Sequence, residues 1–163
     1  MSMEDLSSVL WRERELLETL LYKLEVEQLV LAGGRTHWLA TAAREVELVL
    51  DRIREIEVLR ALELDAVAEQ LGLEPNPSLH EIAEASDEPW RSIWLDHREA
   101  FTTVATEISA MSETNRELLT AGYHAAQATL LSLSDGAGTY GADGAMATPT
   151  AAARRASLLD RSI

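Results

Sequence analysis

Apolar residues recur every seven positions at the start of this chain, and no other feature constrains its fold as much. Met3, Leu10, Leu17, Leu24 and Leu31 fall seven apart, with Leu6, Leu20 and Leu21 beside them and mostly Glu and Arg elsewhere. Such a repeat paints one apolar stripe along an α-helix, and other helices must cover it. A first helix is predicted from about residue 3 to 32. Gly33-Gly34 ends it, because glycine supplies the C-cap conformation and weakens continuation. Thr36 then N-caps a second helix, from about 37 to 71, where Leu39, Ala42, Val46, Val49, Ile53 and Ile56 keep the three-four spacing. Past Ile56 the stripe reads as drifting through Leu59, Leu62, Ala66 and Val67. Glu47, Asp51, Arg54, Glu55 and Glu57 lie off the main stripe and read as a solvated face.

Gly72, Pro75 and Pro77 interrupt the pattern. Ser78 caps a short helical piece at 78–85, and Asp87-Glu88-Pro89 opens a third long helix, about 90 to 133. Trp94, Phe101, Ile108, Asn115, Gly122 and Thr129 form one seven-residue row of that helix, and His97, Val104, Met111, Leu118 and Ala125 its companion. This seam is apolar at its start and becomes smaller and more polar. Three long helices with one stripe each predict an all-α fold, an elongated antiparallel three-helix bundle on a coiled-coil hairpin, spanning residues 1–133. After Leu133 the composition changes: residues 134–148, SDGAGTYGADGAMAT, predict a flexible linker. Residues 149–163 predict a short amphipathic terminal helix with Leu158, Leu159 and Ile163 on one side. Apart from the heptads there is no internal repeat.

Charge narrows the function. The 163 residues carry 28 Asp and Glu against 14 Lys and Arg, a net charge of −14. The last segment sets Arg154, Arg155 and Arg161 against Asp160, giving +2 there and −16 on the rest. An acidic surface repels nucleic-acid phosphates and anionic lipid, so neither nucleic acid nor membrane insertion is expected. It also keeps a chain soluble while it presents apolar surface. Cysteine is absent, which removes disulfides, thiolate metal sites and cysteine nucleophiles. The opening segment is acidic and amphipathic, with no basic region ahead of an apolar run, so it does not read as a signal peptide.

The residues that could carry chemistry form no constellation. His37, His80, His97 and His124 show neither Glu-x-x-His nor His-x-x-x-His spacing. His80 and Glu84 are four apart without an evident third ligand, and His97, on a seam, reads as a packed core-edge histidine. Gly136, Gly138 and Gly141 spell G-x-G-x-x-G, but a dinucleotide site needs a strand before that turn and a helix after it. Here a helix precedes and more glycine follows, so the segment reads as linker. Arg154-Arg155-Ala156-Ser157 has the form of a basophilic kinase site, a pattern short enough to arise by chance. No carboxylate pair is placed in an apolar pocket that would tune a general acid. The chain is therefore expected to use no metal or cofactor and to catalyse nothing.

Three features invite a binding role. Asn115 sits in the third seam, where a lone Asn either sets register or marks a place where the bundle opens for a partner. Trp11, Trp38, Trp90 and Trp94 supply most of the large aromatic surface, with Trp94 expected in the core. Leu158 and Leu159 would either fold back on the bundle or hold a client.

The chain resembles the FlgN family of flagellar export chaperones. The likeness rests on Leu16-Leu17-Glu18-Thr19-Leu20-Leu21 in the leading helix, the glycine break with its second long helix, and Asn115-Arg116-Glu117-Leu118-Leu119 in the third. Thr139-Tyr140-Gly141-Ala142-Asp143-Gly144 is similar to the Tyr-Gly-x-x-Gly element that follows that helix in the family. The resemblance implies a cytoplasmic bundle that binds hook-associated (hook–filament junction) proteins and delivers them to the flagellar type III export apparatus. It also implies that the C-terminal region carries cargo binding, with Asn115, Leu118 and Leu119, then Tyr140 and Gly141, then Leu158 and Leu159 as its residues here. A scaffolding coiled coil that self-associates is the rival reading.

Overall fold

The computed structural model describes residues 2–137, which form helices joined by short connections, with no strand among them. Helix α1 spans Met3–Ala32, and a single 3-10 turn follows at Thr36–Trp38. Helix α2 spans Leu39–Leu71, the short α3 Leu79–Ala85, and α4 Trp90–Ala137. Tyr140, Gly141, Leu158, Leu159 and the whole 149–163 segment lie outside the described residues.

Local chemistry accounts for the boundaries. Ser2 and Asp5 form a capping box at the start of α1, and Ser78 and Glu81 form another on α3, satisfying amides that have no partner inside the helix. After α1 it is Gly34, at φ +66°, that takes the left-handed conformation, while Gly33 stays right-handed as the C-cap. Thr36 does not cap α2. It opens the 3-10 turn, and Trp38 stands at the N-cap without a side-chain hydrogen bond, because the turn itself carries the chain into the helix. Gly72 ends α2 in the left-handed conformation at φ +68°. Asn76, also left-handed, donates its amide to Asp65 Oδ1 at 2.8 Å, which ties the α2–α3 loop back to α2.

α1 and α2 run antiparallel, as Lys23 with Glu45 and Glu13 with Arg60 show. α4 runs parallel to α1, with Ser7 beside His97 and Leu24 beside Asn115, offsets of 90 and 91 residues. α1 is the spine. No Cα of α2 lies within 8 Å of one of α4, whereas both pack along α1. Two apolar clusters hold the bundle. One joins Leu20, Leu24, Val46, Val49, Leu50, Ile53, Val104 and Ile108 across the three long helices. The other gathers Leu6, Leu10, Leu64, Val67, Ile82, Ala83 and Trp94 where α3 closes the end.

The stripe of α2 departs from the expected drift. Leu59 and Leu62 are exposed, and the buried row runs Ile53, Ile56, Leu64, Val67, with Arg60 in the gap. Helical spacing of three and four is kept throughout, but one of its positions is an arginine that a buried glutamate neutralises. At its far end α4 continues to Ala137, four residues into the stretch expected to be linker.

Candidate functional site

The difference in length between α1 and α4 creates the site. α1 has 30 residues and α4 has 48, and the two run side by side from near their starts. With an offset near 90 residues, Ala32 at the end of α1 is level with about residue 122 of α4. The remainder of α4, to Ala137, extends past the bundle by roughly 22 Å at 1.5 Å per residue. Up to Gly136, Asn115 is the last buried residue of α4; Leu118, Leu119 and Tyr123 are part-buried, and every residue from His124 to Gly136 is exposed.

This projecting arm is not surfaced like the rest of the protein. No Asp, Glu, Lys or Arg occurs from Leu118 to Ser134, in a chain of which 26% is charged. Leu130 and Leu131 are each 56% exposed and Leu133 is 66% exposed. The apolar row also changes face. Within the bundle the seam runs Ile108, Met111, Asn115, Leu118, and its continuation, Gly122, Ala125 and Thr129, is exposed and small. The arm's own row is Leu119, Tyr123, Ala126, Leu130, Leu133, one residue on and so turned by about 100°. That row keeps the four-three spacing of a coiled-coil seam with no helix of the described chain against it.

At the root of the arm the seam is polar. Asn115 Nδ2 donates to the Leu24 carbonyl at 2.9 Å and to Glu27 Oε1 at 3.1 Å, and both side chains are buried. Burial pushes the Glu27 carboxyl above the usual carboxylate range; its hydrogen bond from Asn115 opposes this and the Glu47 carboxylate adds to it. Asn115 thus faces α1, and Leu118 and Leu119 stand at the edge where bundle becomes arm. Of the seven residues singled out from the sequence, the structure brings these three together, and the other four lie outside the described residues. Leu130, Leu131 and Leu133 were missed. Their signal was present in the uncharged run and in the one-residue shift of the apolar row.

His97 and His80 have contrasting surroundings. His97 is buried in a ladder on α4, stacked between Trp94 and Phe101 with ring centroids 6.4 and 6.3 Å away, and Trp11 meets it edge-on at 5.1 Å. Burial, with Arg14 nearby, holds it below the usual histidine range, against the pull of Asp96. His80 and Glu84 lie 3.3 Å apart on the exposed face of α3. No group of three or more His, Asp or Glu side chains placed to hold a metal ion occurs among the described residues, and none of their helices is long and apolar enough to cross a membrane.

Compared with known families, the chain matches the one described as "FlgN protein" over residues 1–148. No match was found among curated proteins or among solved structures.

Proposed function

The chain belongs to the FlgN family of flagellar export chaperones, and from that premise we propose that it holds hook-associated proteins in the cytoplasm and delivers them to the flagellar export apparatus. The observation that carries this reading is the uncharged arm of α4, covered by no other described helix, with Leu130, Leu131 and Leu133 more than half exposed. An amphipathic helix laid along the row Leu119, Tyr123, Ala126, Leu130, Leu133 would complete a coiled-coil seam, the helix-in-groove mode of recognition. Clients that assemble only outside the cell carry such helices unpaired until then. Covering the row's two half-exposed leucines, Leu130 and Leu133, contributes on the order of 2–3 kcal/mol gross. Ordering both partners consumes part of that, which favours a complex that can be released.

Leu118 and Leu119 enter this reading as the start of the docking row, and Asn115 as the residue that positions it. Tyr140, Gly141, Leu158 and Leu159 are proposed to extend the contact. Three proteins separate these contributions: the intact chain, a truncation after Leu133, and the intact chain with Leu130→Glu and Leu133→Glu. Each is titrated calorimetrically with a hook-associated protein. The arm substitutions are expected to weaken binding at least tenfold. Unchanged affinity in the truncation removes Tyr140, Gly141, Leu158 and Leu159 from the mechanism, and failure of the intact chain to bind any hook-associated protein removes the reading.

A further inference from the structure

Glu27 and Asn115 leave a hydrogen-bonding account that does not close with an ionised carboxylate. Glu27 is 0% and Asn115 1% exposed. Both hydrogens of the Asn115 amide are used, one on the Leu24 carbonyl and one on Glu27 Oε1. The two remaining oxygens of the pair, Glu27 Oε2 and Asn115 Oδ1, are buried and have no hydrogen-bond partner among the described residues. A carboxylate and an amide oxygen are both acceptors, so neither serves the other. One proton on the carboxyl turns Oε2 into a donor and satisfies both atoms together.

We propose that Glu27 and Asn115 close a two-bond acid–amide ring, in which the Glu27 carboxyl keeps its proton and donates it to the Asn115 amide oxygen, clasping α4 to α1 where the arm leaves the bundle. The groups around the pair fit this. From α2, Glu47 adds negative charge that disfavours a second anion. On α1, Lys23 stands one turn before Glu27 and gives its ammonium to Glu45 of α2 at 3.3 Å. On α4, Arg116 pairs with Glu113 on the exposed side. Arg35 and His37 of the connecting turn are exposed.

The ring makes the root of the arm sensitive to pH. A carboxyl held above its ordinary value of 4.5 contributes stability that is fully present below that value and lost as pH rises through the folded value. Ionisation therefore loosens the clasp on the alkaline side. Its consequence for client capture rests on the function proposed above, but the ring itself does not.

The test uses the full chain and Glu27→Gln, which is neutral at every pH and can reproduce both bonds, its Nε2 donating to Asn115 Oδ1. Urea unfolding is followed from about pH 5 to about pH 8. The ratio of folded to unfolded protein in the wild type is expected to fall by roughly tenfold relative to Glu27→Gln across that range. Glu13, a second buried carboxyl among the described residues, is common to both proteins and cancels in the comparison. Infrared difference spectra should show a protonated carboxyl band in the wild type above its ordinary titration range, absent from Glu27→Gln. A wild-type-to-variant difference that stays constant with pH, or no such band, would overturn the ring. The band should persist in Glu13→Gln, which removes the other raised carboxyl and leaves Glu27 in place, so a poorly folding Glu27→Gln leaves the test intact. Because no client enters either measurement, failure here is distinct from failure of the chaperone reading.

Discussion

Arg60 of α2 reaches Glu13 of α1 and donates through Nη1 to both of its carboxylate oxygens, at 2.9 and 3.1 Å, in the gap between the two apolar clusters. Glu13 is buried, and that burial pushes its carboxyl above the usual range while the Arg60 charge opposes the shift and Glu57 adds to it. An ion pair of this kind holds helices in register more than it adds net stability, because desolvating the two charges offsets much of their attraction. Removing only one partner exposes that cost. Arg60→Met should destabilise the bundle by about 2–3 kcal/mol, and adding Glu13→Gln should recover most of the loss. Urea denaturation of the two variants checks both statements, and equal stability of the single and double variants would contradict them.

His97 gives stability an acid limb. Its folded value lies below the ordinary 6.5, so the folded protein disfavours the charged ring. The contribution is present above 6.5 and lost as pH falls from there through the folded value. His97→Phe keeps an aromatic ring in the ladder and cannot charge. The melting-temperature difference between wild type and variant should move in the variant's favour as pH falls through that window and stay constant below it. A difference independent of pH would show that His97 does not titrate on unfolding.

Trp94 is the largest fully buried side chain, and its Nε1 donates to Ser86 Oγ at 3.2 Å while Ser86 itself donates to the Ile82 carbonyl at 2.7 Å. Trp94→Ala should cost about 3–5 kcal/mol, since it removes the centre of the cluster that α3 closes. Trp94→Phe keeps ring packing against Trp90, 5.2 Å away, and loses the indole hydrogen bond, for roughly 1–2 kcal/mol. Chemical denaturation orders the two variants, and a reversed order would place the stability elsewhere.

The arm should be neutral to folding. Leu130→Glu and Leu133→Glu are exposed changes beyond the bundle, so the unfolding free energy should shift by no more than about 0.5 kcal/mol. A large loss of stability would mean that the arm packs on the bundle rather than standing free.

Much of the architecture was legible before any coordinates. The seven-residue rows of α1 and α4, the glycine break and the Ser78 cap need only helical periodicity and local backbone chemistry, so their positions follow from residue order. Trp94 and His97 fell in the core because their row is continuous with Phe101, Val104 and Ile108. The later course of α2 was harder. Leu59 and Leu62 look more core-like than Arg60, and only a carboxylate from another helix makes an arginine acceptable there. The exposed arm was hidden for a related reason. A row of small and apolar residues reads as a seam whether or not a partner lies against it, and only the relative lengths of α1 and α4 reveal that none of the described helices does.

By itself, then, the residue order determined that this protein is made of long striped helices, where most of them begin and end, and that its surface is acidic. Those properties depend on interactions within a few residues along the chain and on composition. Tertiary structure decided which helix became the spine, that Glu13 and Glu27 are buried, and that no other described helix covers the end of α4. Each depends on what residues distant in sequence place alongside, and a one-dimensional pattern does not contain that neighbour.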